Sequence, residues 1–252
     1  NSKGGRLKDH IGIVVNNKKI NELYNVISVQ IENANLGTPG QFYELKVKYS
    51  QRMRIPISIY NITDNVVEFM VKIVGDGTKE LTQLKEKDTI MALGPLGNPF
   101  TPPQADQNCL ILSGGVGYAP FYYFKKHYPK ANITWFHGGA NRNEVFEADR
   151  IFTNDGSIGI KGFVTADLHE YLQNNKVDRI LTCGPRIMMK NIANIALPFV
   201  KDIECSLEEY MACGIGVCYG CAVKVKTAKG LVYKTVCKDG AIFQGSEVIW
   251  DE

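Results

Sequence analysis

The sequence predicts an α+β multidomain chain in three parts: an antiparallel β-barrel, an α/β domain with a parallel sheet, and a small cysteine-rich C-terminal domain. Three observations predict it. The first hundred residues hold runs of β-branched and aromatic residues with little helical periodicity. From Asn108 onward, short apolar strand segments alternate with helical ones. Four of the seven cysteines then fall between Cys213 and Cys237. A length of 252 residues accommodates three such parts, divided as 1–102, 103–200 and 201–252.

In the first part, the strand segments are Ile11–Val15, Tyr24–Ile31, Phe42–Val47 and Val66–Val74, separated by Gly, Pro, Asn and Asp turns. Several short strands with little helix signal suggest a small antiparallel barrel. The Pro/Gly-dense run from Gly94 to Pro103 closes it and marks a domain boundary. The second part opens with the strand Cys109–Leu112, a glycine turn and a helix over Phe121–His127. The strand Ile133–His137 follows, then a charged helical segment around Glu144–Phe152. The strand Arg179–Cys183 and a helix over Met188–Ala196 complete it. Strand alternating with helix implies βαβ units. After Pro198 the chain is short-looped, cysteine-rich and β-leaning.

Composition narrows the function classes. The 29 Lys+Arg against 26 Asp+Glu give a net charge of +3, too mild for a nucleic-acid-binding face. No run of eighteen apolar residues offers a membrane-spanning helix. The first residues, Asn1-Ser2-Lys3-Gly4-Gly5-Arg6, read as a trimmed end and not as a signal peptide. With seven cysteines and no secretory signal, metal binding or redox chemistry in the cytoplasm is the expectation.

Cys213-x4-Cys218-x2-Cys221, with Cys237 after fifteen intervening residues, has the spacing of plant-type 2Fe–2S ferredoxins. A loop with three thiolates wraps one side of such a cluster, and a fourth arrives from a later element. Gly214, Gly216 and Gly220 let the backbone turn tightly and bring N–H groups to the sulfurs. Structural zinc is the competing assignment, although zinc knuckles come in pairs of C-x2-C and here there is one. Cys109 and Cys205 read as small core residues. Cys183 ends an apolar strand within Cys183-Gly184-Pro185, where ligands of open α/β sheets bind.

The glycine turn Ser113-Gly114-Gly115-Val116-Gly117-Tyr118-Ala119-Pro120 joins a strand to a helix. Gly115 and Gly117 permit close approach of a diphosphate, and the helix start supplies free N–H groups; an ordinary tight turn is the alternative. Arg54-Ile55-Pro56-Ile57-Ser58 and Gly75-Asp76-Gly77-Thr78 are candidates for a second cofactor: Arg54 offers a fork of donors, Ser58 a hydroxyl, and Gly77-Thr78 backbone N–H groups. A strand-edge proline and a hairpin turn explain the same residues without a ligand. His10, His127, His137 and His169 are scattered and read as surface or structural residues. Arg142, beside the turn after His137, either meets a 2′-phosphate or is an ordinary surface arginine.

With these motifs the chain resembles the ferredoxin–NADP reductase superfamily, and within it the electron-transfer subunits of class 1B dihydroorotate dehydrogenase. The stretch from Cys205 to Cys221, with Ser206-Leu207-Glu208-Glu209-Tyr210-Met211 leading into Cys213, is the most specific part of the likeness. Val236 to Gly240, Pro39-Gly40-Gln41-Phe42 and Gly94 to Asn98 extend it over nearly the whole chain. The resemblance implies FAD on the barrel around Ile55–Ser58, Lys72-Ile73-Val74 and Gly77-Thr78. It implies NAD at Gly115, Gly117 and Cys183-Gly184-Pro185, and a 2Fe–2S cluster on Cys213, Cys218, Cys221 and Cys237. It further implies electron flow between NAD and an FMN-containing dihydroorotate dehydrogenase catalytic subunit, in a heterotetramer serving pyrimidine biosynthesis. Related subunits serve other flavoenzymes. Three positions depart from the family pattern: Ile55 stands where an arginine directly precedes Pro-Ile-Ser, Pro99 replaces a glycine, and Ala241 replaces a proline.

Overall fold

The computed structural model describes residues 9–32 and 36–250; the stretch Asn1 to Arg6 lies outside them. The strands β1 (Asp9–Lys19), β2 (Tyr24–Gln30), β3 (Phe42–Val47), β4 (Ile55–Thr63) and β5 (Val66–Lys72) precede the short helix α1 (Asp76–Thr82) and β6 (Thr89–Leu96). The six strands close in the order β1-β2-β5-β4-β3-β6, every pairing antiparallel. Alternation along each strand sends Ile27, Val29, Tyr43, Leu45, Val67, Phe69, Ile90 and Ala92 into the barrel. Full burial of a side chain such as Phe69 contributes about 1.5–3 kcal/mol. Bulges between Phe42 and Glu44, and between Ile59 and Asn61, re-aim β3 and β4 on the side that carries the candidate site. The segment Gly75 to Thr78 is not a hairpin turn but the start of α1. The Thr78 hydroxyl accepts from Val74 N at 2.9 Å and donates to Gly75 O at 2.9 Å, which fixes that start.

The second unit comprises β7 (Asn108–Gly114), α2 (Ala119–His127), β8 (Asn132–Gly139), β9 (Arg150–Thr153), β10 (Ile160–Lys161), α3 (Leu168–Asn174), β11 (Arg179–Cys183), α4 (Arg186–Ala196) and β12 (Ile203–Ser206). Its sheet runs β10-β9-β8-β7-β11-β12 in parallel and ends on an antiparallel strand, β15 (Ile242–Gln244), contributed by the C-terminal part. The sheet therefore continues past position 200. The helix expected around Glu144–Phe152 is absent: a 3-10 turn, Arg142–Glu144, and the strand β9 take its place. Tertiary contacts override local propensity there. The Asp149 carboxylate accepts from Trp135 N at 2.7 Å, and the Phe146 ring packs edge-on to Tyr24.

The C-terminal part holds the hairpin β13 (Ala222–Thr227) and β14 (Gly230–Thr235) and the turn of helix α5 (Val236–Asp239). Its core joins that of the sheet, Val223, Val225 and Val236 packing in one cluster with Phe42, Leu112 and Ile203. A polar clamp secures the connection from barrel to sheet. Arg179 donates to Asp202 at 2.6 Å and to Thr101 O at 3.1 Å, and Glu204 accepts from Thr101 N at 3.1 Å. Among the described residues no helix is long and apolar enough to cross a membrane.

Candidate functional site

The cysteine loop is shaped by its glycines. Gly214 and Gly216 adopt φ of +66° and +76°, and Tyr219 shares that left-handed region at +57°. These turns aim backbone donors at sulfur: Gly216 N lies 3.2 Å from Cys237 Sγ, Cys218 N 3.4 Å from Cys213 Sγ, and Gly220 N 3.4 Å from Cys218 Sγ. Cys221 Sγ and Cys237 Sγ are 3.3 Å apart. The thiols thus form two neighbouring pairs, Cys213 with Cys218 and Cys221 with Cys237. The backbone N–H groups of Ile215 and Cys218 hold the Cys213 thiol down at about 6, whereas burial, then Cys221, pushes Cys237 up to about 12. Among the described residues no three His, Cys, Asp or Glu side chains gather around one ion-sized point. A donor set of four thiols with an N–H group directed at each sulfur, Cys237 N lying 3.5 Å from Cys221 Sγ, fits an iron–sulfur cluster. Cys218 is exposed, and the loop's outer face carries Val217 and Tyr219, 72% and 62% exposed.

Two motifs separated in sequence meet at the ends of the parallel strands. In register, Ser113 pairs with Cys183 across β7 and β11. A Cβ on Gly117 would stand 2.3 Å from Cys183 O, and one on Gly184 would stand 3.0 Å from Gly114 N. The glycine loop and the Cys183-Gly184-Pro185 turn are therefore in backbone contact, and side chains there would force them apart. Cys183 is fully buried and burial raises its thiol. Cys109 and Cys205 are buried too, as expected of core residues. Beneath the loop, Ser113 Oγ lies 2.8 Å from His137 Nδ1 and accepts from Trp135 Nε1 at 2.8 Å. Burial lowers the imidazole to about 4, so His137 is neutral and structural.

Between barrel and sheet lies a cleft of about 680 Å³, within the size range of cofactor sites. Arg54, Ile55, Pro56, Ile57, Ser58, Lys72, Val74 and Thr78 line it, whereas Ile73 and Gly77 do not. Strand alternation distinguishes the neighbours in β4. Pro56 and Ser58 pair with Glu44 and Phe42, whose side chains face away from the barrel interior. Ile55 and Ile57 pair with the core residues Leu45 and Tyr43. Arg54 shares the face of Pro56 and Ser58, donating from Nη2 to Asp9 Oδ2 at 2.5 Å. Ile55 instead turns toward Gly77, whose Cβ would meet it at 2.8 Å.

The opposite wall of the cleft comes from Val116, Ala119 and the segment Ser206-Leu207-Glu208-Glu209-Tyr210-Met211. Cys213 follows two residues later, so cleft and cysteine loop are continuous. Glu44 fills the angle between them. It is fully buried, neither carboxylate oxygen has a hydrogen-bond partner, and a Cβ on Gly214 would lie 2.5 Å from its Oε2. Burial raises that carboxyl to about 7, with Arg54 opposing and Cys213 adding to the shift.

Comparison with known proteins bears directly on this arrangement. Residues 208–249 match the iron-sulfur cluster binding domain of dihydroorotate dehydrogenase B. The electron transfer subunit of dihydroorotate dehydrogenase B (NAD(+)) from Clostridium acetobutylicum is 35% identical over 222 residues, covering 85% of this chain and 87% of the relative. The chain belongs to the dihydroorotate dehydrogenase B electron transfer subunits. The Clostridium perfringens subunit is 34% identical over 97% of this chain and 96% of its own length. A solved structure of an NADH-dependent reduced ferredoxin-NADP oxidoreductase, described for flavin-based electron bifurcation, superimposes with a TM-score of 0.81. It is 30% identical and covers 99% of this chain and 92% of that one. The fold is that of the ferredoxin–NADP reductase superfamily, and the chain is an oxidoreductase subunit of pyrimidine biosynthesis with an iron–sulfur binding domain and a catalytic partner subunit. The match over the cysteine loop decides between iron–sulfur and zinc in favour of iron–sulfur, and sets aside a non-catalytic interaction module.

Sequence reasoning overlooked Glu44, Glu144 and the cleft-lining roles of Glu208 to Met211. A signal existed for the last group, which follows the carboxyl end of a parallel strand, the place where ligands bind in such sheets. For Glu44 there was none, because its surroundings come from a loop about 170 residues away.

Proposed function

We propose that this subunit conducts electrons between NAD(H) and an FMN-containing catalytic subunit that oxidises dihydroorotate to orotate, using FAD in the cleft and a 2Fe–2S cluster on Cys213, Cys218, Cys221 and Cys237. When bound, FAD supplies exchange of a hydride with nicotinamide and of single electrons with an iron–sulfur centre. The observation that carries this proposal is the continuity of cleft and cysteine loop, with Tyr210 and Met211 in the cleft wall and Cys213 immediately beyond. Two cofactors so placed share one wall, which keeps the path between them short.

Each group of residues has a part. Arg54, on the cleft face, exchanges its contact with Asp9 for a phosphate that its guanidinium fork can hold, with Ser58 offering a hydroxyl beside it. Val74, just before α1, and Thr78, in its first turn, line the cleft against the same ligand, with Ile73 and Gly77 next to them in the chain. Gly115, Gly117, Cys183, Gly184 and Pro185 hold NAD(H) at the strand ends, and buried His137 keeps the loop's underside rigid without exchanging protons near neutral pH. Gly216, Cys218 and Gly220 direct N–H groups at the cluster sulfurs, and Val217 and Tyr219 give the partner subunit an apolar face beside it. In this proposal 1–102 is the flavin domain, 103–200 the nucleotide domain and 201–252 the cluster domain, lending β12 and β15 to the sheet. The assembly is a cytoplasmic heterotetramer.

An anaerobic visible spectrum of the purified chain, before and after NADH, tests this. Flavin and iron–sulfur absorption that both bleach are the expected result; a colourless, folded, zinc-containing protein would overturn it. A second partner is favoured by one observation, the 30% identity over 99% of the chain to a ferredoxin-NADP oxidoreductase structure. Copurification with an FMN subunit that oxidises dihydroorotate selects the first partner over that one.

A further inference from the structure

After β8 the chain doubles back as a strap. A Cβ on Gly139 would lie 2.9 Å from both Cβ and O of Glu144, so a glycine is required for the strap to fold this closely. Asn141 Oδ1 accepts from Asn143 N at 2.9 Å and holds the turn. Two contacts then pin the strap to the barrel. Asn21 Nδ2 donates to Asn143 O at 2.9 Å, and Lys72 Nζ donates to Glu144 Oε1 at 2.8 Å.

The second contact lies at the mouth of the glycine loop. Glu144 Oε2 is 3.8 Å, and the Tyr24 hydroxyl 3.6 Å, from the point where a Cβ on Gly115 would stand. Tyr24 is completely buried and its hydroxyl has no hydrogen-bond partner. The Lys72 and Glu144 side chains are only 24% and 18% exposed, so solvent screens them poorly. A lysine ammonium, an unpaired hydroxyl and a side-chain-free glycine are the parts of an anion site. Here the anion among them is the chain's own carboxylate.

We propose that Glu144 is a built-in competitor for the diphosphate of the nicotinamide dinucleotide, and that Lys72 is the cation it masks. This rests on NAD(H) binding at the Gly115 loop. A diphosphate arriving there meets a like charge and must displace the carboxylate before it gains Lys72 and the Tyr24 hydroxyl. The strap then parts from the barrel, so nucleotide binding and the contact between the two units are linked. Part of the dinucleotide's binding free energy goes into opening the Lys72–Glu144 pair, which weakens its hold and speeds its release after each transfer.

Isothermal titration of NAD+ into the full, cofactor-loaded chain tests the competitor directly. Glu144→Gln keeps the shape and removes the charge, and tightens NAD+ binding about fivefold or more, at the lower end of couplings between sites. Lys72→Gln weakens binding. Asn21→Ala, which loosens the strap without altering any charge, shifts binding in the same direction as Glu144→Gln and keeps the test open if the latter variant folds poorly. NAD+ binding that is unchanged or weaker in both Glu144→Gln and Asn21→Ala overturns the proposal. Gly117→Ala separates that failure from failure of the nucleotide site itself. If it abolishes NAD+ binding while the strap variants change nothing, only the competitor is wrong. If it too leaves binding unchanged, the nucleotide lies elsewhere and both ideas fall.

Discussion

Gly117→Ala is the most informative single perturbation of the nucleotide site. The added Cβ would stand 2.3 Å from Cys183 O, 2.5 Å from Cys183 C and 2.9 Å from Gly184 N, whereas ordinary contact begins at 3.4 Å. All three opposing atoms are backbone, so no side chain can swing aside, and the glycine loop must retreat from the Cys183-Gly184-Pro185 turn by about 1 Å. Overpacking of this kind costs about 1–3 kcal/mol. For a protein of this size that is a fall in Tm of about 2–12 °C. The functional loss is larger in proportion, because a displacement of about 1 Å at a reacting site costs about a hundredfold in rate. The assay is stopped-flow reduction of the flavin by NADH, alongside a thermal melt and the iron–sulfur absorption. Reduction should slow by that order while the cluster spectrum stays, since the atoms that the added Cβ meets belong to Cys183 and Gly184 and not to the four cluster cysteines. Unchanged reduction with an unchanged melt would refute the contact between the two motifs and, with it, the assignment of the nucleotide site.

Three further outcomes follow from the same geometry. Cys218→Ser, at the exposed member of the four thiols, should remove or destabilise the cluster yet leave reduction of the flavin by NADH intact; wild-type electron delivery to the partner subunit would contradict the path. Arg54→Ala should lower flavin affinity about tenfold or more, the loss of one charge-assisted hydrogen bond, whereas Arg52→Ala, at an exposed arginine tied to Asp76 and Glu80, should retain flavin; equal flavin content in both purified variants would count against Arg54. His137, held near 4 from an ordinary 6.5 by burial, binds its proton more readily in the unfolded chain. Its contribution to stability is whole above about pH 6.5 and is lost as the pH falls toward 4, a loss of about 3 kcal/mol. Denaturant titrations at the two pH values should show that loss in wild type and less of it in His137→Gln; equal slopes would place the acid sensitivity elsewhere.

Features whose chemistry is contained in one stretch of chain are legible in the order of residues. Four cysteines at the spacing of a binuclear cluster, with glycines among them, specify a loop of directed N–H groups because ligands and turns are local. Four of the six barrel strands declare themselves by β-branched runs, and the βαβ rhythm from Asn108 by alternation, whereas β4 and β6 emerge only in the closed barrel. The charged segment after Ala140 misled, because helical propensity there is overruled by the contact of Asp149 with β8 and of Phe146 with Tyr24 of the barrel.

What the tertiary structure alone decided is which distant pieces meet. Gly117 and Cys183 touch because β7 and β11 are neighbours in a sheet whose order differs from sequence order. Arg54 faces the cleft, and Ile55 the barrel, only once β4 has a register against β3. Glu44 loses every hydrogen-bond partner only when Gly214 closes over it, and Lys72 acquires Glu144 only when the strap crosses from the sheet. Residue type and spacing encode what a group can do within its own loop. Its burial, partner and charge depend on elements brought together across the whole chain, and those properties govern how the site works.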